Sequence, residues 1–151
     1  KRHEGLRLTA TEQARRIKQQ EQDEGLWGKV EPGPADNSIF SSEPGHTTVA
    51  ADMATMGVTF TRSNKAPGSR VQGVQLFRGR LEAATKRPME KPGYFVFNTC
   101  YHTIRTLPNL ENDEKNREDI DSHGEDHIWD VIRYRVLKSA KKAKTTTVTG
   151  A

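Results

Sequence analysis

The chain has 151 residues, which is enough for one domain with one hydrophobic core. A hydrophobic content of 32% beside a charged content of 29% predicts a modest core with long polar connections, and the net charge of +4 is compatible with a nucleic-acid partner without requiring one. The single cysteine, Cys100, excludes an internal disulfide and favours an intracellular setting, and the sequence has neither an apolar run of membrane-spanning length nor a signal-peptide pattern.

Four elements are predicted in the first half of the chain from hydrophobic spacing and turn residues. They are a helix from Ala10 to about Glu24, a strand from Leu26 to Val30, a helix from Thr47 to Met56 and a strand from Val58 to Thr61. Thr9 and Glu12 form a capping box that begins the first helix, and Gly25 ends it. Gly57 is the expected stop of the second helix.

The second half is predicted to contain three helices and the most apolar strand of the chain, which is expected to be central to the sheet. The elements are a helix from Ser69 to about Ala84, a strand from Tyr94 to Asn98, a short helix from Cys100 to Thr106 and a last helix from about His123. Ser69 with Gln72, and Ser122 with Glu125, are expected to be capping boxes. The expected core positions are Val71, Val74, Phe77 and Leu81 in the first of these helices and Ile128, Val131 and Ile132 in the last.

Asp36 lies in a stretch from Glu31 to Phe40 whose two prolines and glycine break any regular element. It is therefore expected on a loop just beyond a strand, which is the position where α/β sheets bind ligands. The alternative is structural, because Asp36, Asn37 and Ser38 also suit a turn or a helix cap.

Two further carboxylates, Asp126 and Asp130, are four residues apart on the last predicted helix, so their side chains share one side of it. Such a pair is unfavourable unless a cation lies between the two groups, and carboxylate oxygens suit a hard divalent metal ion. The alternative is a solvated helix face on which Asp130 pairs with Arg133 or Arg135.

Basic residues and a weaker metal set complete the candidates. Lys65 and Arg70 are placed to contact a DNA backbone, as binding without sequence preference requires, or else belong to an ordinary helix surface. A candidate zinc site would consist of Cys100, His102, His123 and His127. The spacing of these residues has no close match among the usual structural zinc sites. The sequence contains no phosphate loop of the Walker type.

Six short motifs, taken together and in order, are more specific than any one of them alone. They run from Gly33 to Asn37, Gly57 to Phe60, Gly68 to Gly73, Asn98 to Pro108, Asp113 to Asn116 and Glu125 to Tyr134. In this order and spacing, the chain from about Leu8 to Leu137 resembles the C-terminal nuclease domain of the large terminase subunit of tailed phages and prophages.

The resemblance implies an RNase H-like fold of the α/β class, a mixed sheet flanked by helices, for residues 8–138, followed by a basic flexible tail in residues 139–151. Members of the family cut double-stranded DNA concatemers during genome packaging and use acidic residues that hold two divalent ions, Mg²⁺ or Mn²⁺. By match to the motifs, Asp36 and Asp126 would be catalytic metal ligands, and Asp130 would be a third ligand or a supporting carboxylate.

The family's opening strands carry its first catalytic aspartate, and no counterpart of them precedes Ala10. The chain is therefore expected to be a fragment that lacks one metal-binding carboxylate, which leaves the activity of the isolated chain open. The implied partners are double-stranded DNA, the terminase small subunit and the portal, in the cytoplasm of the bacterial host and without a membrane. An exposed sheet edge would also allow a homodimer. The alternative function is a non-catalytic module for DNA binding or packaging assembly.

Overall fold

The structure, a computed structural model, describes residues 7–121 and 127–147, the side chains of 141–147 excepted. The chain divides after Ser63 into two compact units. Within the described residues the elements are five α-helices, two short 3-10 helices and one sheet of two parallel strands, so the predicted α/β class is confirmed. None of the described helices combines the length and the apolar character that crossing a membrane requires.

The first unit contains two helices and both strands. They are α1 (Ala10–Asp23), β1 (Gly33–Ala35), α2 (Val49–Thr55) and β2 (Phe60–Arg62). β1 pairs with β2 in parallel register, with Gly33 opposite Phe60. The small core consists of Ala14, Met53 and Val58, which are buried, with Trp27 packed against them.

The start of α1 follows the prediction. The Thr9 hydroxyl accepts a hydrogen bond from the Glu12 amide at 3.2 Å, and the Glu12 carboxylate accepts one from the Thr9 amide at 2.9 Å. The Thr9 hydroxyl also donates to the Glu12 carboxylate at 2.8 Å, and the two hydrogen bonds that the amide and hydroxyl of Thr9 donate to this carboxylate lower the pKa of Glu12. The predicted capping box and the end of the helix before Gly25 are therefore confirmed.

The strand predicted from Leu26 to Val30 is wrong, because this segment forms turns. Gly25 and Gly28 have φ values of 66° and 77°, in the left-handed region that glycine enters at little cost and that a strand does not contain. The amides of Leu26 and Trp27 donate back to the Glu21 carbonyl, which closes the end of α1. The first strand lies further along the chain, at β1.

The second unit contains the other three helices, which are α3 (Ser69–Thr85), α4 (Tyr101–Thr106) and α5 (His127–Thr147). α3 packs against α5 around a core of buried residues: Val74, Phe77, Trp129, Ile132 and Val136. The ring of Phe77 meets those of Tyr94 and Trp129 edge to face, with centroid distances of 4.9 and 5.7 Å.

Several details of the two long helices differ from the predictions. Ser69 lies inside α3, and Gly68 is the N-cap without a side-chain hydrogen bond, so the Ser69 capping box is wrong. Leu81 and Val131 are exposed rather than buried, whereas Trp129 is only 1% exposed. The predicted capping box of Ser122 and Glu125 lies outside the described residues. The segment predicted as a tail is helical as far as Thr147.

The segment from Tyr94 to Asn98, predicted to be a central strand, is irregular. The described part of the second unit contains no strand with which this segment would pair. Tyr94 packs inward against Phe77, while Phe95 and Phe97 are 65% and 80% exposed. Val96 is exposed as well, at 37%, so the segment has neither the backbone pairing nor the alternating burial of a strand.

Candidate metal site and DNA contacts

Asp36 directly follows β1, at the carboxyl end of a parallel strand, as the sequence predicts. The strand is Gly33–Ala35 rather than the expected Leu26–Val30. The Asp36 carboxylate accepts a hydrogen bond from the Ser38 amide at 2.8 Å and caps the 3-10 turn Asn37–Phe40. Its structural interpretation as a cap is therefore confirmed, and its role as a metal ligand stays a prediction.

Asp130 lies near the described start of α5 and is held by two neighbours on the same helix. Arg133 donates to one carboxylate oxygen from Nη2 at 2.6 Å and from Nε at 3.2 Å. The Tyr134 hydroxyl donates to the other oxygen at 3.3 Å. The side chain of Arg133 is 4% exposed and that of Asp130 is 30% exposed. The predicted alternative, an ion pair between Asp130 and Arg133, is therefore confirmed.

The three predicted ligands do not belong to one described unit of the chain. Asp126 lies outside the described residues, and Asp36 and Asp130 belong to different units. No group of three or more His, Cys, Asp or Glu side chains that could hold a metal ion occurs in the part of the chain that the structure describes. The chemistry of the predicted set, three carboxylates, fits Mg²⁺ or Mn²⁺.

Arg70, a predicted DNA contact, makes an internal bridge. Its Nε donates to the Asp119 carboxylate at 2.7 Å, and its Nη2 donates to the Ile120 carbonyl at 2.8 Å. The arginine thereby ties the start of α3 to the polar loop before α5. A guanidinium that already faces a carboxylate attracts a phosphate less strongly than a free one does.

Lys65, the other predicted DNA contact, lies close to the neighbours of Asp130. Its ammonium group is 6.0 Å from the centroid of the Tyr134 ring, and the Arg133 guanidinium is 4.6 Å from the same centroid. The second unit therefore brings one predicted DNA contact and one predicted catalytic carboxylate to the same tyrosine.

Gly73 is a further member of this arrangement that was not predicted from the sequence. A Cβ atom at Gly73 would lie 2.6 Å from Cγ of Arg133, closer than such atoms approach. The glycine therefore makes room for the buried arginine between α3 and α5. Its signal in the sequence is a glycine in the interior of a helix, a position where alanine is intrinsically more stable.

No protein-family model, curated protein or solved structure matches this chain significantly.

Proposed function

We propose that the chain is the nuclease part of a terminase large subunit, a divalent-metal-dependent endodeoxyribonuclease of the RNase H-like fold that cuts double-stranded DNA during genome packaging. The observation that carries the proposal is the set of six motifs in the family's order. The position of Asp36 at the carboxyl end of a parallel strand supports it, because α/β sheets bind their ligands there.

In this function Asp36, Asp126 and Asp130 would hold Mg²⁺ or Mn²⁺ through their carboxylate oxygens. A bound pair of such ions lowers the pKa of a water and stabilises the leaving oxygen of an in-line displacement. The carboxylates offset the charge of the ions and fix their separation. Lys65 contributes to holding the DNA backbone without reading its sequence.

The proposed partners follow from the same function. Double-stranded DNA is the substrate, and the terminase small subunit and the portal are the assembly partners in a bacterial host. A second copy of the chain is a further candidate partner, bound through an exposed sheet edge.

A non-catalytic module for DNA binding or packaging assembly is the second candidate. Two contacts favour it: Asp36 caps a turn, and Asp130 pairs with Arg133, so both carboxylates already have structural roles. A module of this kind binds DNA and has no need for a metal ion.

Titration calorimetry with Mn²⁺ separates the two functions. A nuclease binds Mn²⁺, and Asp36→Asn and Asp126→Asn each weaken that binding by about tenfold or more. Asp23→Asn, at an exposed position of α1, is the matched control and leaves the affinity unchanged. DNA binding by a wild-type chain that takes up no Mn²⁺ would instead support the module.

Asp126→Ala is expected to abolish cleavage by the full-length protein in Mg²⁺ or Mn²⁺, because the substitution removes a ligand of the ions. Its far-ultraviolet circular dichroism should match that of the wild type. Cleavage at the wild-type rate by this variant would rule out the assigned role of Asp126.

A further inference from the structure

The second unit contains a cavity of about 850 Å³, which none of the predicted metal ligands or DNA contacts described in this unit lines. One face of α3, from Gln72 to Lys86, forms one side of the cavity, and residues 90–92 and 139–140 form the others. Small-molecule sites in proteins have volumes of roughly 300–1,000 Å³. We propose that this cavity binds an aromatic phosphate, a small anion with a flat apolar body. The inference goes beyond the proposed nuclease function and does not depend on it.

Gly79 is the first observation that points to a ligand. It lies in the interior of α3 and lines the cavity, and a Cβ atom built on it would meet no described atom within 4 Å. Its φ is not in the left-handed region, so neither the backbone conformation nor a neighbouring side chain requires glycine. Gly73 differs, because its missing Cβ makes room for Arg133. The bare backbone at Gly79 instead gives a flat group access to the helix.

The residues one turn before and after Gly79 make this part of the cavity apolar. Leu76 and Ala83 are three and four residues from Gly79, so all three lie on the same face of α3. Leu76 packs against the core around Trp129, and Ala83 is 6% exposed. A ring placed on Gly79 would therefore contact apolar atoms on both sides and lose its contact with water there.

The charged residues of the lining favour an anion. They are three cations and two carboxylates: Arg80, Lys86, Lys91, Glu82 and Glu90. The Lys86 ammonium group donates to the Glu82 carboxylate at 2.7 Å, which leaves Arg80 and Lys91 with one further carboxylate, that of Glu90. Arg80 is half-buried, and its guanidinium forms no ion pair within the described part of the chain. A guanidinium presents paired N–H donors that match the oxygens of a phosphate.

The wall formed by residues 90–92 is held against α3 by the two residues that follow it. The Tyr94 amide donates to the Arg80 carbonyl at 3.1 Å. A Cβ atom at Gly93 would lie 3.0 Å from Cα of Ala84, so the backbones of this segment and of α3 are close together. α5 packs against α3 through the core. The cavity is therefore bounded by elements that are anchored to one another.

Three probes separate the two parts of the proposed ligand: phenyl phosphate, inorganic phosphate and phenol. Each is titrated into the ¹⁵N-labelled 151-residue chain, and binding is followed through the amide chemical shifts. Phenyl phosphate is expected to shift the amides of Gly79 and Lys91 and to bind at least about tenfold more tightly than either of the other probes. Equal affinities for the three probes would overturn the inference. Shifts centred on the exposed rings of Phe95 and Phe97 would also overturn it.

Two substitutions test the residues that carry the argument. Gly79→Leu fills the cavity above α3, and Arg80→Gln removes the guanidinium, so each is expected to raise the Kd for phenyl phosphate about tenfold or more. Arg78→Gln, at an exposed position of α3 outside the lining, is the matched control and leaves the Kd unchanged. An unaltered Kd in either cavity variant would overturn the inference.

Circular dichroism of each variant checks that the loss of binding is not a loss of fold. Leucine is a better helix former than glycine, so Gly79→Leu is expected to keep the helical signal of the wild type. If that variant does not fold, the comparison of Arg80→Gln with Arg78→Gln decides alone. Equal Kd values for these two variants would then overturn the inference.

Discussion

At the scale of single residues, Arg70 and Asp130 show how much a local contact changes an interpretation. The sequence places Arg70 on a basic helix face, which is compatible with DNA, but it does not reveal that Asp119, 49 residues away, accepts its hydrogen bond. Asp130 and Arg133 are three residues apart on one helix, so their ion pair follows from helix geometry and was among the predicted alternatives. Contacts between neighbours on one helix are therefore predictable, and those across long loops are not.

Capping residues show the same limit. Thr9 and Glu12 satisfy the first amides of α1 as predicted, because the pattern needs only residues that are adjacent in sequence. Ser69 and Gln72 show the same spacing, but the helix starts one residue earlier. Gly68, with a φ value of 77°, takes the N-cap position, and Ser69 is buried within α3.

Tyr94 gives a prediction for the dependence of stability on pH. Burial, and secondarily the charge of Cys100, raises the pKa of the Tyr94 hydroxyl above its ordinary value near 10. The unfolded chain therefore loses this proton first as the pH rises. The contribution of the neutral hydroxyl to the free energy of unfolding is complete below about pH 10 and is lost as the pH rises through the folded-state pKa.

The comparison of wild type with Tyr94→Phe isolates this contribution, because the other titrating groups are common to both proteins. Denaturant unfolding at pH 7 measures the effect of removing the hydroxyl alone. We expect the stability of the variant relative to the wild type to increase between pH 10 and higher values. A difference that stays constant across this range, or that moves in favour of the wild type, would contradict the assignment.

At the scale of secondary structure, helices were predicted better than strands. α1 begins at Ala10 as expected, and α4 ends at Thr106 before Pro108, because helix ends carry local signals. Strands depend on a partner elsewhere in the chain. The continuous apolar run from Tyr94 to Phe97 favours a strand. The segment is nevertheless irregular, because the described part of its unit contains no strand with which it could pair.

Two glycines of α3 give a matched pair of substitutions. Gly73→Ala would bring Cβ within 2.6 Å of Arg133 Cγ, and we expect it to lower the free energy of unfolding by about 1–3 kcal/mol. Gly79→Ala has no described atom within 4 Å of its new Cβ and should raise the free energy of unfolding by about 0.5–1 kcal/mol through helix propensity.

Urea unfolding of both variants measures the two changes under the same conditions. Opposite signs are the expected outcome, because the substitutions share a helix and differ in the neighbouring side chain. Stabilisation by Gly73→Ala as large as that by Gly79→Ala would show that the close approach of Arg133 to α3 does not constrain the helix pair.

At the scale of the whole molecule, the described chain has two core clusters rather than the single core expected from its length. The cluster around Met53 lies in the first unit, and the cluster around Trp129 lies in the second. Sequence periodicity identifies which residues of a helix face a core, but it does not say how many separate cores the helices build. Likewise, the motifs give the order of Asp36 and Asp130 in the sequence, but they do not determine the distance between the two carboxylates in space.

The two tryptophans of the chain fall one in each unit, which makes the two cores separately observable. In a Trp27→Phe background, fluorescence reports on the second unit through Trp129, which is 1% exposed.

Ile132→Val removes a methyl group from the core around Trp129 and should lower the unfolding free energy of the second unit by about 0.5–1.5 kcal/mol. Met53→Ala removes a buried side chain from the other core and should cost that unit about 2–5 kcal/mol.

The two clusters share no residue, so we expect Met53→Ala to leave the urea midpoint reported by Trp129 fluorescence nearly unchanged. Circular dichroism of the same variant should show α1 and α2 unfolding at a lower urea concentration than in the background protein. Ile132→Val, measured in the same background, is the reciprocal variant and should move the fluorescence midpoint. Equal shifts of the fluorescence and circular dichroism midpoints in Met53→Ala would mean that both cores unfold in one cooperative transition. In that case a substitution in either unit would also change the stability of the helix pair that holds Arg133 and Asp130.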